Sequence, residues 1–399
     1  MFVRQRGITY LIAITLLLGL ALIDTKGMAA PPGTVVADGL ANPRGIVLAD
    51  DGTIYVAEAG LGGTEAFTAP PYPPSTRGMT GRVTRIAPGG GKTTVAANLP
   101  SLSLGGQGNA FVLGPGGMIL ANGALWLVTG AMVNGYPTAP NAASVLRIDP
   151  QSGAVAQVAD LAAFERANNP DTFDLTADPY GVAIGADGTL YVADAGANDL
   201  IRVDPQTGKA TLVALFAGIP APAANPARGG AKETDPVPSN VVVGPDGNLY
   251  VGLLTGFPTV KGGAKVLRVT PSGAVSDAVT GLTSVSWVTF GPDGLLYIVE
   301  FGVEAPDSGR ILRVTADGTK QSVAEGLNAP NGVAFDKAGN LYVAVNGSTA
   351  PNDGPQGQIL RINGVAKVAA TSPPTAAAPS TASAPQNPTA HFLRRLGDG

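Results

Sequence analysis

The chain contains no cysteine, and its only histidine is His391. The first absence excludes disulfides, thiolate nucleophiles and cysteine-based zinc sites. His391 lies in a stretch rich in Pro, Ala, Ser and Thr near the C-terminus, so the body of the chain has no imidazole. That excludes Ser-His-Asp catalysis, histidine general bases and histidine-rich transition-metal sites within the body. A metal held there needs oxygen ligands, which selects Ca2+ or Mg2+; no cofactor is demanded by the sequence. Charge is scarce too. Only 14% of the residues are Asp, Glu, Lys or Arg, the net charge is −4 at pH 7, and the body carries no Lys/Arg run. A phosphate-tracking surface needs a basic patch, so nucleic acid is not an expected partner. Convincing helical periodicity is missing as well.

Repetition is what the chain has instead. An apolar pair or Val-Thr, then Arg, then Val or Ile returns as Val83-Thr84-Arg85-Ile86, Val145-Leu146-Arg147-Ile148 and Leu200-Ile201-Arg202-Val203. It returns again as Val266-Leu267-Arg268-Val269, Ile311-Leu312-Arg313-Val314 and Ile359-Leu360-Arg361-Ile362. Before each copy comes a run with a central aromatic: Tyr55, Trp126, Tyr191, Tyr250, Tyr297 or Tyr342. Tight turns such as Asp51-Gly52, Asp187-Gly188, Asp246-Gly247 and Asp293-Gly294 separate that run from an earlier apolar one. Asp-Gly between short β-rich runs is a hairpin signal, because both residues tolerate positive φ. Four short strands per repeat, six times over, predict an all-β, six-bladed β-propeller with antiparallel blades.

The phase of the ends predicts how the ring closes. Thr34-Val35-Val36-Ala37-Asp38-Gly39-Leu40 reads as a fourth strand with no partners before it, and the last repeat stops after its third strand, near Ile362. The N-terminal strand should therefore complete the last blade and remove an exposed edge. Residues 30–368 form the expected propeller. Residues 1–29 read as a secretory signal: Arg4 and Arg6 precede an apolar run over 8–23, and Gly27-Met28-Ala29 offers a small-x-small cleavage site. The expectation is a secreted or periplasmic protein with no membrane span after cleavage, and a monomer. Residues 369–399 lack core-forming residues and read as a disordered tail.

Extra residues fall after the second strand (60–80, 130–142, 255–263, 302–308, 346–357) and after the fourth (162–179, 217–238). In a four-stranded meander both connections emerge on one face, and function concentrates on loops held by a rigid scaffold. The insertion-rich face is thus the expected binding face for a small molecule, glycan or protein partner. The recurring arginines and aromatics read as structural: the arginines partly buried between blades, paired with turn aspartates or carbonyls, the aromatics in the core.

Positions that differ between repeats are the functional candidates. Before the first strand stand Arg44, Gly116, Tyr180, Ser239, Ser286 and Asn331; at the end of the second stand Glu58, Thr129, Asp194, Leu253, Glu300 and Val345. Arg44, Glu58, Tyr180, Asp194, Glu300 and Asn331 are the candidate binding residues. Glu58, Asp194, Glu300 and Asn331 are the candidate oxygen ligands of a cation, with Asn109, Asp178 and Asn240 as further oxygens. The same carboxylates read equally well as loop caps or arginine partners.

The phrases Asn328-Ala329-Pro330-Asn331-Gly332-Val333-Ala334-Phe335 and Gly339-Asn340-Leu341-Tyr342-Val343-Ala344 resemble the NHL and gluconolactonase/strictosidine synthase-like (TolB-like) group of six-bladed propellers. A closer resemblance is to the ScyD/ScyE family of exported bacterial proteins. It rests on the signal-bearing start, on Val36-Ala37-Asp38-Gly39-Leu40-Ala41-Asn42-Pro43-Arg44-Gly45, and on the Gly/Pro-rich insertion after Glu58. The second resemblance implies an exported propeller; a binding or scaffold role is expected from the insertion-rich face together with the depleted catalytic inventory. The first implies, as an alternative, a metal-dependent lactonase or esterase, in which a Glu, two Asn and an Asp bind one divalent cation in the channel. Glu58 and Asn331 match that pattern in position; Tyr180 and Ser286 stand where oxygens of amides or carboxylates would be wanted.

Overall fold

A computed structural model describes residues 32–68, 74–105, 111–225, 228–347 and 354–366. The signal segment, the tail and Asn109 lie outside the described residues. The chain forms six four-stranded antiparallel blades. Blade three shows the plan: Pro179–Ile184, Leu190–Asp194, Asp199–Val203 and Ala210–Leu215 pair in chain order. The sheet of blade one carries two further short strands, Glu65–Phe67 and Phe111–Leu113. Blade six takes its outer strand from the other end of the chain. Thr34–Leu40 pairs antiparallel with Gly357–Ile362, with Thr34 opposite Arg361, Val35 opposite Leu360 and Ala37 opposite Ile359. The predicted closure is thus present, and Gly357–Ile362, paired on one side with Leu341–Val345 and on the other with Thr34–Leu40, is not left as an edge.

The core lies between the blades, one apolar cluster per interface. Tyr55, Val83 and Leu99 of blade one meet Met118, Leu127 and Leu146 of blade two. Trp126 and Val145 then meet Val192 and Ile201 of blade three. The last interface, Ile46, Val56 and Ile86 against Ala37, Ala344 and Ile359, welds the N-terminal strand into the ring. Because each strand alternates its side chains between two faces, and both faces meet a neighbouring blade, the inner strands are apolar on both sides. Near the axis the inner strands touch by backbone: the Gly332 N–H donates to Arg44 O at 3.1 Å, and a Cβ at Gly332 would overlap that carbonyl. Only glycine permits this approach.

The recurring motif has a clear geometry. Each strand-three arginine lies directly opposite the strand-two aromatic: Tyr55 with Arg85, Trp126 with Arg147, Tyr191 with Arg202, Tyr250 with Arg268, Tyr297 with Arg313 and Tyr342 with Arg361. In blade four the turn aspartate completes the set, since Asp246 Oδ2 accepts from Arg268 Nε at 2.8 Å and from the Tyr250 hydroxyl at 3.3 Å. The arginines are less buried than the sequence suggests: Arg85, Arg147 and Arg202 are exposed, the other three half-buried. They stand where the strand leaves the interface for the tight-turn face, so their stems cover an aromatic while their heads stay wet.

One helix among the described residues, Leu161–Asn168, falls in the insertion after blade two. Asp160 caps it, Oδ1 accepting from the Ala163 N–H at 2.8 Å. Its buried face is Leu161, Ala162 and Glu165. At eight residues it is too short for its period to stand out in the sequence.

Candidate functional site

The inner strands begin on the insertion-rich face, and there the channel is filled by side chains. Arg44 is 1% exposed; its Nη2 donates to Val112 O at 3.0 Å, and its guanidinium lies 5.6 Å from the Phe111 ring centroid and 5.8 Å from that of Tyr180. The Asn331 Nδ2 donates to the Tyr180 hydroxyl at 2.7 Å. Blades three and six are opposite in a ring of six, so this bond crosses the axis. Among the described residues Asn331 Oδ1 and Arg44 Nη1 have no hydrogen-bond partner. Burial raises the Tyr180 pKa, with the Arg44 charge opposing it. Ser239 and Ser286, at equivalent positions, hold the next blades: their hydroxyls donate to Val285 O at 2.6 Å and Pro330 O at 2.8 Å. Arg44, Tyr180 and Asn331 are thus brought together, as a plug.

The carboxylates at the ends of the second strands are used locally. In blade one, Glu58 Oε2 accepts from the Ala41 N–H at 2.6 Å and from Arg82 Nη2 at 2.7 Å. Its Oε1 accepts from Arg82 Nε at 2.8 Å and from the Thr84 hydroxyl. In blade five, Glu300 accepts from the Thr283 N–H and from Arg310 Nε. Asp194 Oδ1 accepts the N–H groups of Asp178, Gly196 and Ala197 at 2.7, 3.0 and 3.1 Å. Each carboxylate pins the segment that enters its own blade. Among the described residues no three Asp, Glu, His or Cys side chains are grouped to hold a metal ion. The donor set does not fit a channel cation: Glu58 is saturated, and the buried guanidinium of Arg44 occupies the mouth. Asn240, its Nδ2 donating to Val288 O at 2.8 Å, lies deeper along the axis.

Blade three departs from its neighbours at one position. Arg82 stands opposite Glu58 and Arg310 opposite Glu300, whereas Asp199 stands opposite Asp194. Opposed residues of an antiparallel pair share a face, so two carboxyls meet where blades one and five pair opposite charges. Asp199 is fully buried, and among the described residues neither of its carboxyl oxygens has a hydrogen-bond partner; the same holds for Glu165, on the buried face of the helix. Burial and then Asp194 drive the Asp199 pKa well above the usual carboxylate range. Burial, reinforced by Asp194, Asp171 and Asp174, pushes Glu165 up to about 8. Asp178 rises to about 7 by burial and the Asp194 charge, and Asp194 to about 6 by burial, held down by its three N–H donors. Asp199 and Glu165 escape a reading by strand ends alone. The signal for Asp199 is the break in the Arg82–Arg310 register; Glu165 has none outside the helix.

The cavity on the axis opens at the other end, on the face of the tight turns. It measures about 630 Å3 and is lined by the inner strands of all six blades. Its wall is mainly apolar, with Leu48, Val242, Phe290 and Phe335 among its residues, and Trp287 and Asn240 contribute as well. Lys337 and Asp336 mark its rim at a tight turn. On the insertion-rich face, the pocket beside Glu300 and Arg310 measures about 190 Å3.

Three solved structures define the architecture's relatives. A protein of unknown function from Bacteroides thetaiotaomicron shares 13% identity at a TM-score of 0.53, covering 83% of this chain and 75% of that one. Regucalcin, a calcium-binding protein from Agrobacterium tumefaciens, shares 13% at 0.51, covering 83% and 93%. Virginiamycin B lyase from Staphylococcus aureus shares 15% at 0.46, covering 80% and 95%. The likeness is one of fold. No protein-family model matches the chain, and no curated protein does. No helix among the described residues is long and apolar enough to cross a membrane.

Proposed function

We propose that this is an exported binding propeller of the ScyD/ScyE type, holding a small molecule with an apolar or aromatic body in the axial well. The observation that carries the reading is the well itself: about 630 Å3, walled by six blades and closed at its far end by Arg44, Tyr180 and Asn331. Ligand pockets are concave, mostly apolar and preformed, and this volume falls in their range. The reading moves the ligand from the insertion-rich face to the turn face, because buried side chains already fill the channel mouth. The insertion-rich face remains a surface for a glycan or protein partner in a scaffold role.

The alternative, a divalent-metal-dependent lactonase or esterase using Glu58, Asn331, Asp194 and Glu300, needs free oxygens that converge. The saturation of Glu58 by Arg82, Thr84 and Ala41 favours binding over hydrolysis. Titration with N-phenyl-1-naphthylamine, an uncharged aromatic fluorophore, tests the proposal. Saturable one-to-one binding is expected, weakened at least tenfold by Thr289→Arg, which places a long charged chain from the wall into the well. Binding indifferent to that substitution, or Ca2+-dependent turnover of a lactone abolished by Asn331→Ala, would sink it.

A further inference from the structure

A second cavity, independent of the axial well, lies between blades two and three on the turn face. It measures about 890 Å3 and its lining is mostly polar. Its cations are Arg147, Arg202 and Lys209, and its anions Asp187 and Asp204. Comparison of the repeats shows why the cations are available. Blade four gives its strand-three arginine a turn aspartate and a tyrosine hydroxyl. Blade two has Asn122 at the turn and Trp126 as the aromatic, so Arg147 loses both acceptors. In blade three, Asp187 turns to Thr189, accepting its N–H and its hydroxyl at 3.0 Å. Asp204 accepts the N–H groups of Gln206 and Thr207 through one oxygen. Among the described residues neither Arg147 nor Arg202 has an ion-pair partner, and both guanidiniums are exposed at the groove.

We propose that this groove binds an acidic saccharide, with one carboxylate of a uronate chain held between Arg147 and Arg202. Guanidinium forks match carboxylate oxygens in geometry and charge. The groove is far larger than an inorganic anion. The Asn122 and Gln206 amides and the Thr189 hydroxyl that line it match sugar hydroxyls, and the second carboxyl oxygen of Asp204 accepts from one.

Calorimetry on the mature protein with tetragalacturonate tests this, with maltotetraose and inorganic sulfate as parallel probes. Tetragalacturonate binding is expected, at least tenfold tighter than maltotetraose and sulfate, weakening as NaCl is raised. Arg147→Gln combined with Arg202→Gln should weaken it at least tenfold at an unchanged melting temperature, since both heads are exposed. Thr289→Arg in the axial well should leave it intact, which separates this site from the one above. No tetragalacturonate binding, equal binding of the neutral tetramer, sulfate binding as tight as the uronate, or indifference to the double substitution would each overturn the proposal.

Discussion

Blades one and five end their second strands with a glutamate that faces an arginine across the sheet; blade three ends with an aspartate that faces another aspartate. The three positions are equivalent, and in all three a carboxylate accepts a backbone N–H from the segment entering the blade. What differs is the remaining oxygens. Arg82 and Arg310 take them in blades one and five. In blade three the facing group is a second acid, and Glu165 from the helix adds a third nearby. A buried carboxyl without donors stays protonated, so blade three buries a neutral acid where blades one and five place an arginine. The same scaffold position therefore holds an ion pair in two blades and a pH-sensitive pair of acids in one.

Four expected outcomes break or sharpen this contrast. The largest is the pH profile. Glu165, Asp199 and Asp178 have folded-state pKa values above their ordinary ones, so their contribution is complete below the ordinary values and lost as pH rises through the shifted ones. At about 1.4 kcal/mol per pH unit for each group, urea unfolding should show stability falling by at least about 3 kcal/mol between pH 5 and 9; a flat profile would refute the protonated pair. Next, Glu58→Ala leaves Arg82 and the Ala41 N–H without their acceptor and should cost about 3 kcal/mol in urea unfolding at neutral pH. No measurable loss there would erase the distinction between the blades. Third, Asp199→Asn replaces the neutral acid by a neutral amide that can donate to Asp194. It should raise the melting temperature at pH 8, by about 1–2 kcal/mol of stability, and change little at pH 5. The smallest is Tyr180→Phe, which removes the hydrogen bond across the channel and should cost about 1 kcal/mol with no pH dependence below 9.

Much of this molecule is legible in the chain because its fold repeats. The aromatic–Arg register returns six times and the Asp-Gly turn four times, and the unpaired phase of Thr34–Leu40 then closes the ring. The candidate positions were legible as positions: Arg44, Tyr180 and Asn331 do gather at the channel mouth, and Glu58, Asp194 and Glu300 do sit at equivalent strand ends. Their employment was not. Whether Glu58 faces a channel or a neighbouring Arg82 depends on side-chain direction across a strand pair, which no spacing specifies. The helix that carries Glu165 into blade three is held by one cap and one buried face, too little pattern to stand out.

The sequence by itself determined the number of blades, their strand order and the closure of the ring, because hydrophobic period, turn chemistry and repeat phase are properties of neighbouring residues. Only the tertiary structure decided which charges cancel, which end of the channel stays open and which arginines stand without an ion partner among the described residues. Those outcomes depend on distances between side chains far apart in the chain, and burial, not residue type, fixes what a carboxyl or a guanidinium then does.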